Sequence, residues 1–388
     1  MKIGLALSGG GYRATVFHLG VLARLAEEKR LEDVTFISTV SGGSLCVGLI
    51  YALNDFQWPS SADYLDRIVK KAHHILITQN LQNALIWRGL RSPLKIFETR
   101  ADDLSALLRS RWGITVPLRN LPEQPRWMIN ATCYETGKNW RFERFRMGDY
   151  AFGYTDPTDI FLSDALAASA GFPILIGPLI LQSSNYSWYR YKDLETDIKT
   201  LTSPARHTNR QRESVVPDYR FIHLWDGGVY DNHGLEGVHD FIKGWHEEIE
   251  FFIVSDGAGR ARPERYSLGY KALFRMVTGI MMDQIRSLRS RAILERILNH
   301  GDRGVFLQLG NTRAEILGNA GKVGTVDTLS GNWLNKEEVK LAAEFPTTIK
   351  RLTQDEFERL FRHGFEVAND TLYAYHEQDF NDISYRFP

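Results

Sequence analysis

The sequence predicts an α/β fold: a central, mostly parallel sheet with helices on both faces. Three observations lead there. The first forty-odd residues run strand, glycine loop, helix, strand, serine turn. Buried-type strands recur far downstream at Glu250–Asp256 (E-F-F-I-V-S-D) and Gly304–Leu309. Stretches with helical apolar spacing lie between them, the alternation from which layered α/β domains are built. At 388 residues with 43% hydrophobic content, the chain can bury one large core.

Taken in order, Lys2–Leu7 (K-I-G-L-A-L) is a short apolar strand, and Ser8–Ala14 (S-G-G-G-Y-R-A) follows it directly. Thr15–Arg30 reads as a helix, with Val16, Leu19, Leu22 and Leu25 on one stripe. Val34–Val40 is β-branched and aromatic, hence a strand. It breaks at Ser41-Gly42-Gly43-Ser44, after which Leu45, Val47, Leu49 and Ile50 resume a helix-compatible run. A glycine loop and a serine turn thus each sit where a strand feeds a helix. In a parallel sheet both fall at the carboxyl edge of neighbouring strands, where such sheets bind ligands.

Ala62–Asn80 is helix-like, and Asp102–Arg109 reads as a further helix. Leu81–Phe97 combines Leu85, Ile86, Trp87 and Leu90 with Arg88, Arg91 and Lys95. It reads as a core-facing helix with a solvated side, and the same composition suits a surface that dips into a lipid interface. Arg126–Cys133 and Trp140–Met147 read as strands, and Ser163–Gly171 as a small-residue helix ended by Pro173. Lys192–Ser214 is charged, polar and irregular: a flexible surface insertion, or more sharply a lid. Tyr219–Trp225 is strand-like and runs into Asp226. Leu268–His300 is a long helix with a break expected near Gly279, and its arginine face reads as solvated or, more sharply, as meeting anionic headgroups. Thr353 and Glu356 form a capping box for an amphipathic helix to His376. The expected organisation is one domain over residues 1–388. It has a core of about 1–310, the 192–214 insertion, and a helical extension over 311–388 packed on the core.

Composition narrows the function. Lys plus Arg equals Asp plus Glu at 47 each, so no global charge argues for nucleic acid. Cys46 and Cys133 do not make a disulfide framework. No signal-like segment and no apolar run of about 18 residues is found. A reduced, cytoplasmic enzyme fits, with peripheral contact at the inner membrane surface. No metal-ligand cluster stands out, and Gly318–Gly331 lacks the Lys-Ser or Lys-Thr pair of a phosphate loop. No cofactor is expected.

Three pieces carry chemistry. Thr39-Val40-Ser41-Gly42-Gly43 is a nucleophile elbow in which Thr39 replaces the usual first glycine. Consecutive amides at Gly9, Gly10 and Gly11 can form a nest for an oxyanion facing Ser41. The same loop fits a dinucleotide fingerprint, but its second strand lacks the acidic residue that would hold a ribose. Asp226-Gly227-Gly228 puts a carboxylate at a strand end with two glycines leaving it uncovered. A Ser-Asp-His order is also available through His233, His300, His363 or His376, although Ser41 comes early for an α/β-hydrolase.

Together these pieces resemble the patatin-like phospholipases, and more closely the bacterial members similar to cytosolic phospholipase A2. The resemblance rests on S-G-G-G-Y-R-A at Ser8–Ala14, the elbow at Thr39–Gly43 and D-G-G at Asp226–Gly228, in the family's order. Ala167–Pro173 (A-A-S-A-G-F-P) and Val229–Asn232 add to it. It spans about residues 1–300. Thr39 and Ala14 stand where the family often has glycine, and neither change removes a reacting group.

The resemblance implies a three-layer α/β/α fold and a Ser–Asp dyad. Ser41 would attack an ester carbonyl and Asp226 would take its proton. Gly9, Gly10 and Gly11 would hold the oxyanion, with Arg13 adding positive potential. Gly42, Gly43, Gly227 and Gly228 would shape the two turns. The implied substrate is a phospholipid or other lipid acyl ester met at a membrane surface, and switching by a partner or small messenger is compatible with some bacterial relatives. A non-catalytic lipid- or nucleotide-binding module on the same scaffold is the alternative from another class.

Overall fold

The computed structural model describes residues 1–91, 100–173, 176–192, 211–240, 244–246, 248–259, 264–322 and 333–387. Twelve strands form one sheet. They are β1 (Ile3–Leu7), β2 (Val34–Val40), β3 (Arg126–Cys133), β4 (Lys138–Glu143), β5 (Arg146–Asp149) and β6 (Gly153–Thr155). Then follow β7 (Leu179–Gln182), β8 (Trp188–Tyr191), β9 (Arg212–Val215), β10 (Phe221–Asp226), β11 (Phe251–Asp256) and β12 (Gly304–Gln308). The order β12-β11-β1-β2-β3 is parallel throughout. Beyond β3 the sheet continues as an antiparallel wing, β4-β5-β6-β8-β9, with β10 and β7 also antiparallel. The sheet is therefore mixed around a parallel heart.

The strands of that heart are buried on both faces, as parallel strands between helical layers must be. Ile3, Leu5 and Leu7 point into the larger core with Phe251 and Ile253. Ala6, Phe252 and Val254 point the other way, toward Phe36 and Ile293. The helices that matter for the site are α1 (Gly11–Glu27), α2 (Gly42–Leu53), α3 (Leu81–Arg91), α4 (Leu162–Ser169), α5 (Met282–Asn299) and α6 (Gln354–His376).

The first helix departs from its expected bounds of 15–30. It begins at Gly11, inside the glycine loop, and ends at Glu27. It is buried from Gly11 to Ala26, not along one stripe only. Its buried Arg24 is satisfied internally: Nε donates to Asn369 Oδ1 at 2.7 Å, and Nη1 to Glu28 Oε2 at 2.8 Å. The α6 helix, capped by Thr353 and Glu356 as expected, covers this face of α1.

Two further expectations are corrected. Trp140–Met147 is not one strand but the hairpin β4–β5, because Arg144-Phe145 makes a turn within it. The long helix near 268–300 is not broken at Gly279. Tyr270–Phe274 is α-helical, Arg275–Met281 winds as a π-helix, and α5 continues without interruption. Residues 193–210, most of the expected insertion, lie outside the described residues, as do 92–99 and 323–332. No described helix is long and apolar enough to cross a membrane.

Candidate active site

The length of β3 brings Ser41 and Asp226 together. Its residues Arg126–Asn130 pair with β2 in parallel, so Val40 lies opposite Asn130. Its residues Ala131–Cys133 run past the end of β2 and pair with β10 antiparallel, so Asp226 lies opposite Ala131. The two strands therefore meet head to head along one side of β3, and the residues that end them face each other. The strand expected over 219–225 starts two residues later, at Phe221, and runs one residue further, to include Asp226.

Ser41 leaves β2 with φ 49° and ψ −111°, a sparsely populated conformation for a residue with a side chain. The surroundings hold it there. Its backbone N–H donates to Ser169 Oγ at 3.0 Å, and Ser169 Oγ donates to the Asn130 carbonyl at 2.7 Å. Ser44 Oγ lies 2.8 Å from both Ser169 Oγ and Thr39 Oγ1. The next two residues must be glycine for space: a Cβ on Gly42 would stand 2.4 Å from the Gly11 carbonyl, and one on Gly43 2.3 Å from that of Leu7. Ser41→Gly should therefore be more stable than Ser41→Ala by about 1 kcal/mol, because only glycine relieves the strain. Urea unfolding of the two variants measures this, and an equal or reversed order would contradict it.

Asp226 is buried, and its two carboxylate oxygens differ. Oδ1 accepts the Gly228 N–H at 2.7 Å. Oδ2 is buried without a hydrogen-bond partner. Burial is the main cause that raises its pKa to about 7, against the lowering effects of the Gly228 N–H and the Ser41 hydroxyl. The hydroxyl is thus close enough to act on the carboxylate, yet no hydrogen bond of good geometry joins the two. The turn is anchored by Gly227, whose N–H donates to the Ser169 carbonyl at 3.3 Å. Ser169, on α4, supports both halves of the site.

The glycine loop differs from expectation at Gly9. The Gly9 N–H is not available to an oxyanion, since it donates to the Asn232 carbonyl at 3.1 Å. Gly10 and Gly11 N–H have no protein partner among the described residues, and both residues take positive φ, 148° and 61°. Arg13 lines the cleft beside the loop, and its guanidinium is anchored by neutral acceptors. Its Nε donates to the Gly257 carbonyl at 3.1 Å, Nη1 to the Phe345 carbonyl, and Nη2 to Thr347 Oγ1 at 3.2 Å. It ties a segment near residue 347 onto the loop, and the Tyr12 N–H donates to the Thr348 carbonyl at 2.8 Å.

Ser41, Asp226 and Gly9–Gly11 open onto a cleft of about 900 Å³. Apolar side chains from Leu45, Leu85, Phe172, Ile176, Phe274 and Met282 line it. No histidine does. His233 is buried with Nε2 3.3 Å from Asp256 Oδ2, and His363 Nε2 accepts the Gly310 N–H at 2.9 Å. His376 Nε2 lies 3.1 Å from the Gly304 carbonyl, and His300 is exposed at the end of α5. None is in place to complete a triad with Ser41. Among the described residues, no group of three or more His, Cys, Asp or Glu could hold a metal ion.

Solved structures similar to this one include human GIVD cytosolic phospholipase A2, at 14% identity and a TM-score of 0.54. The match covers 96% of this chain and 58% of that chain. The same human enzyme in complex with methyl gamma-linolenyl fluorophosphonate matches at 15% identity and a TM-score of 0.51, covering 96% and 57%. At such identity the likeness is one of fold, and this chain spans less than two thirds of the length of those relatives. No curated protein matches the chain. The family model for patatin-like phospholipase matches residues 5–239, from β1 through the Asp226 turn, and the chain belongs to the patatin-like phospholipase family.

Proposed function

We propose that the protein hydrolyses lipid acyl esters through a Ser41–Asp226 dyad. The observation that carries this reading is the buried, unpartnered Asp226 Oδ2 beside a serine held at positive φ, both on one apolar cleft. Ser41 Oγ attacks the acyl carbonyl while Asp226 Oδ2 takes its proton. Gly228 holds Oδ1 and so keeps Oδ2 directed to this task. The oxyanion is received by Gly10 and Gly11 N–H, donors already oriented before reaction. Protonated Asp226 then gives its proton to the departing alkoxide, leaving an acyl-Ser41 ester. Water, deprotonated by Asp226, releases the fatty acid.

A pKa of about 7 suits a carboxylate that must accept and return a proton near neutrality. The apolar cleft lining suits an acyl chain. A binding module would have no use for the backbone strain at Ser41 or for a buried carboxylate oxygen without a partner. The test is fatty-acid release from phospholipid vesicles, together with labelling by a fluorophosphonate. Wild type should release fatty acid and carry the label on Ser41 by peptide mass mapping. Hydrolysis that survives Ser41→Ala would overturn the proposal.

A further inference from the structure

The helix that walls the cleft is built with its polarity reversed. On a soluble surface helix, apolar side chains face the protein and charges face water. Here Arg286, Arg289 and Arg296 turn inward, and Arg291 alone of the α5 arginines is exposed. Arg286 Nη2 lies 3.1 Å from Asp283 Oδ1, and Arg286 Nη1 donates to the Gly259 carbonyl at 2.9 Å. Arg289 Nη2 lies 2.9 Å from Glu236 Oε2, and Arg296 Nε 2.6 Å from Asp302 Oδ2. Leu273, Met276, Val277, Ile280 and Met281 face outward, with Leu273 65% and Ile280 57% exposed.

The π-helical turn organises this surface. Because Arg275–Met281 winds more loosely than 3.6 residues per turn, residues four apart stay nearly in line. Tyr270, Phe274, Thr278 and Met282 therefore form one stripe into the cleft. Leu273, Val277 and Met281 form a second stripe, and Met276 and Ile280 a third, both outside the cleft. Across the cleft, α3 buries Leu81 and Leu85 in the ordinary way but adds exposed apolar surface: Ile86, which lines the cleft, is 52% exposed, and Trp87 next to it in the chain is 65% exposed. Two exposed cations, Arg265 and Lys271, line the rim between and have no acidic partner among the described residues.

We propose that this rim is a docking face for an anionic phospholipid bilayer, with the 273–281 stripes and Trp87 entering the acyl boundary. Arg265 and Lys271 would meet headgroup phosphates. The choice of a bilayer over a protein partner rests on reading the cleft as a lipid-ester site, and on two features of the rim. The exposed apolar stripes are continuous with the cleft lining on the same helix, so a lipid held by them is already at the cleft mouth. The unpaired charge at the rim is positive, which complements an anionic surface.

The test separates docking from catalysis. Ser41→Ala protein is sedimented with vesicles of phosphatidylcholine alone and of phosphatidylcholine mixed with phosphatidylglycerol. Binding is expected to favour the mixed vesicles. Leu273→Asp/Ile280→Asp should weaken it at least about tenfold, and Trp87→Ser, on the other side of the mouth, should weaken it independently. In the Ser41-intact background, both variants should hydrolyse a soluble short-chain ester at the wild-type rate, which also reports that they fold. Vesicle binding that neither variant weakens, or no binding at all, would overturn the docking face even if ester hydrolysis proceeds. A concentration-dependent dimer that dissociates in Leu273→Asp/Ile280→Asp would overturn it too, since a second copy would then be the occupant. Loss of hydrolysis with docking intact would count against the dyad and leave the docking face standing.

Discussion

Asp226→Asn should lower ester hydrolysis roughly 100- to 10,000-fold, the share of a general base, while making the protein more stable at neutral pH. The first effect follows because an amide cannot accept the Ser41 proton. The second follows from linkage. Asp226 has a folded pKa of about 7, raised by burial above its ordinary value of 3.8. The folded state therefore binds the proton more tightly than the unfolded one. The stability contributed by this group is fully present below about pH 4 and is lost as pH rises through 7. Asparagine, always neutral and still able to accept the Gly228 N–H, removes that loss. The stability gap between variant and wild type should open with pH by up to about 1.4 kcal/mol per unit between pH 5 and 7. It should approach about 4 kcal/mol above pH 7. Urea titrations across this range test the sign, and a variant less stable than wild type at pH 8 would refute it. The same ionisation predicts that wild-type kcat/KM falls about tenfold per unit below pH 7.

Gly364→Ala is expected to destabilise the fold by roughly 3 kcal/mol or more, for a reason outside the cleft. The α1 and α6 helices cross with their backbones in direct contact. A Cβ on Gly364 would stand 2.0 Å from the Phe17 carbonyl, and one on Gly20 only 1.9 Å from the Phe361 carbonyl. Neither obstacle is a flexible side-chain tip, so the helices themselves must separate. Separation would also strain the buried Arg24–Asn369 hydrogen bond between them. Gly318→Ala is the matched control. It sits in the helix Arg313–Asn319 with nothing within 4 Å of a Cβ. There, alanine should stabilise by about 0.5–1 kcal/mol, the usual helical preference. Equal effects at the two glycines would remove the backbone-contact argument.

Much of the site's framework was legible because it is local. Val34–Val40 has the same bounds in sequence and structure, and Ser41 and Asp226 end their strands as expected. What escaped is non-local. Nothing near Gly9 announces that its N–H will be taken by Asn232, nor does the sequence around Arg13 reveal that backbone carbonyls more than 240 residues away will anchor its guanidinium. Asn232 did lie within a segment noted for its resemblance to the family, but its use as a backbone acceptor depends on the tertiary approach of two loops. The helix starts earlier than the sequence suggests because glycines lower helix propensity, whereas here close contact of Gly11 with Thr348 and Gly42 selects it. The antiparallel wing was only partly visible. A turn at Arg144-Phe145 has none of the Gly, Asn or Pro signals that usually mark a hairpin.

The meeting of α1 with α6 also sets a timetable. Synthesis releases β1, the glycine loop and the serine elbow about three hundred residues before α6. Yet β1 lies between β2 and β11, and α1 is enclosed by a helix that begins at Gln354. The Tyr12 N–H waits for the Thr348 carbonyl, and Arg13 for Phe345 and Thr347. A chain emerging at about 5–20 residues per second holds its nucleophile for tens of seconds before these partners exist. The serine is thus made early and set late, and a nascent chain is not yet the finished catalyst.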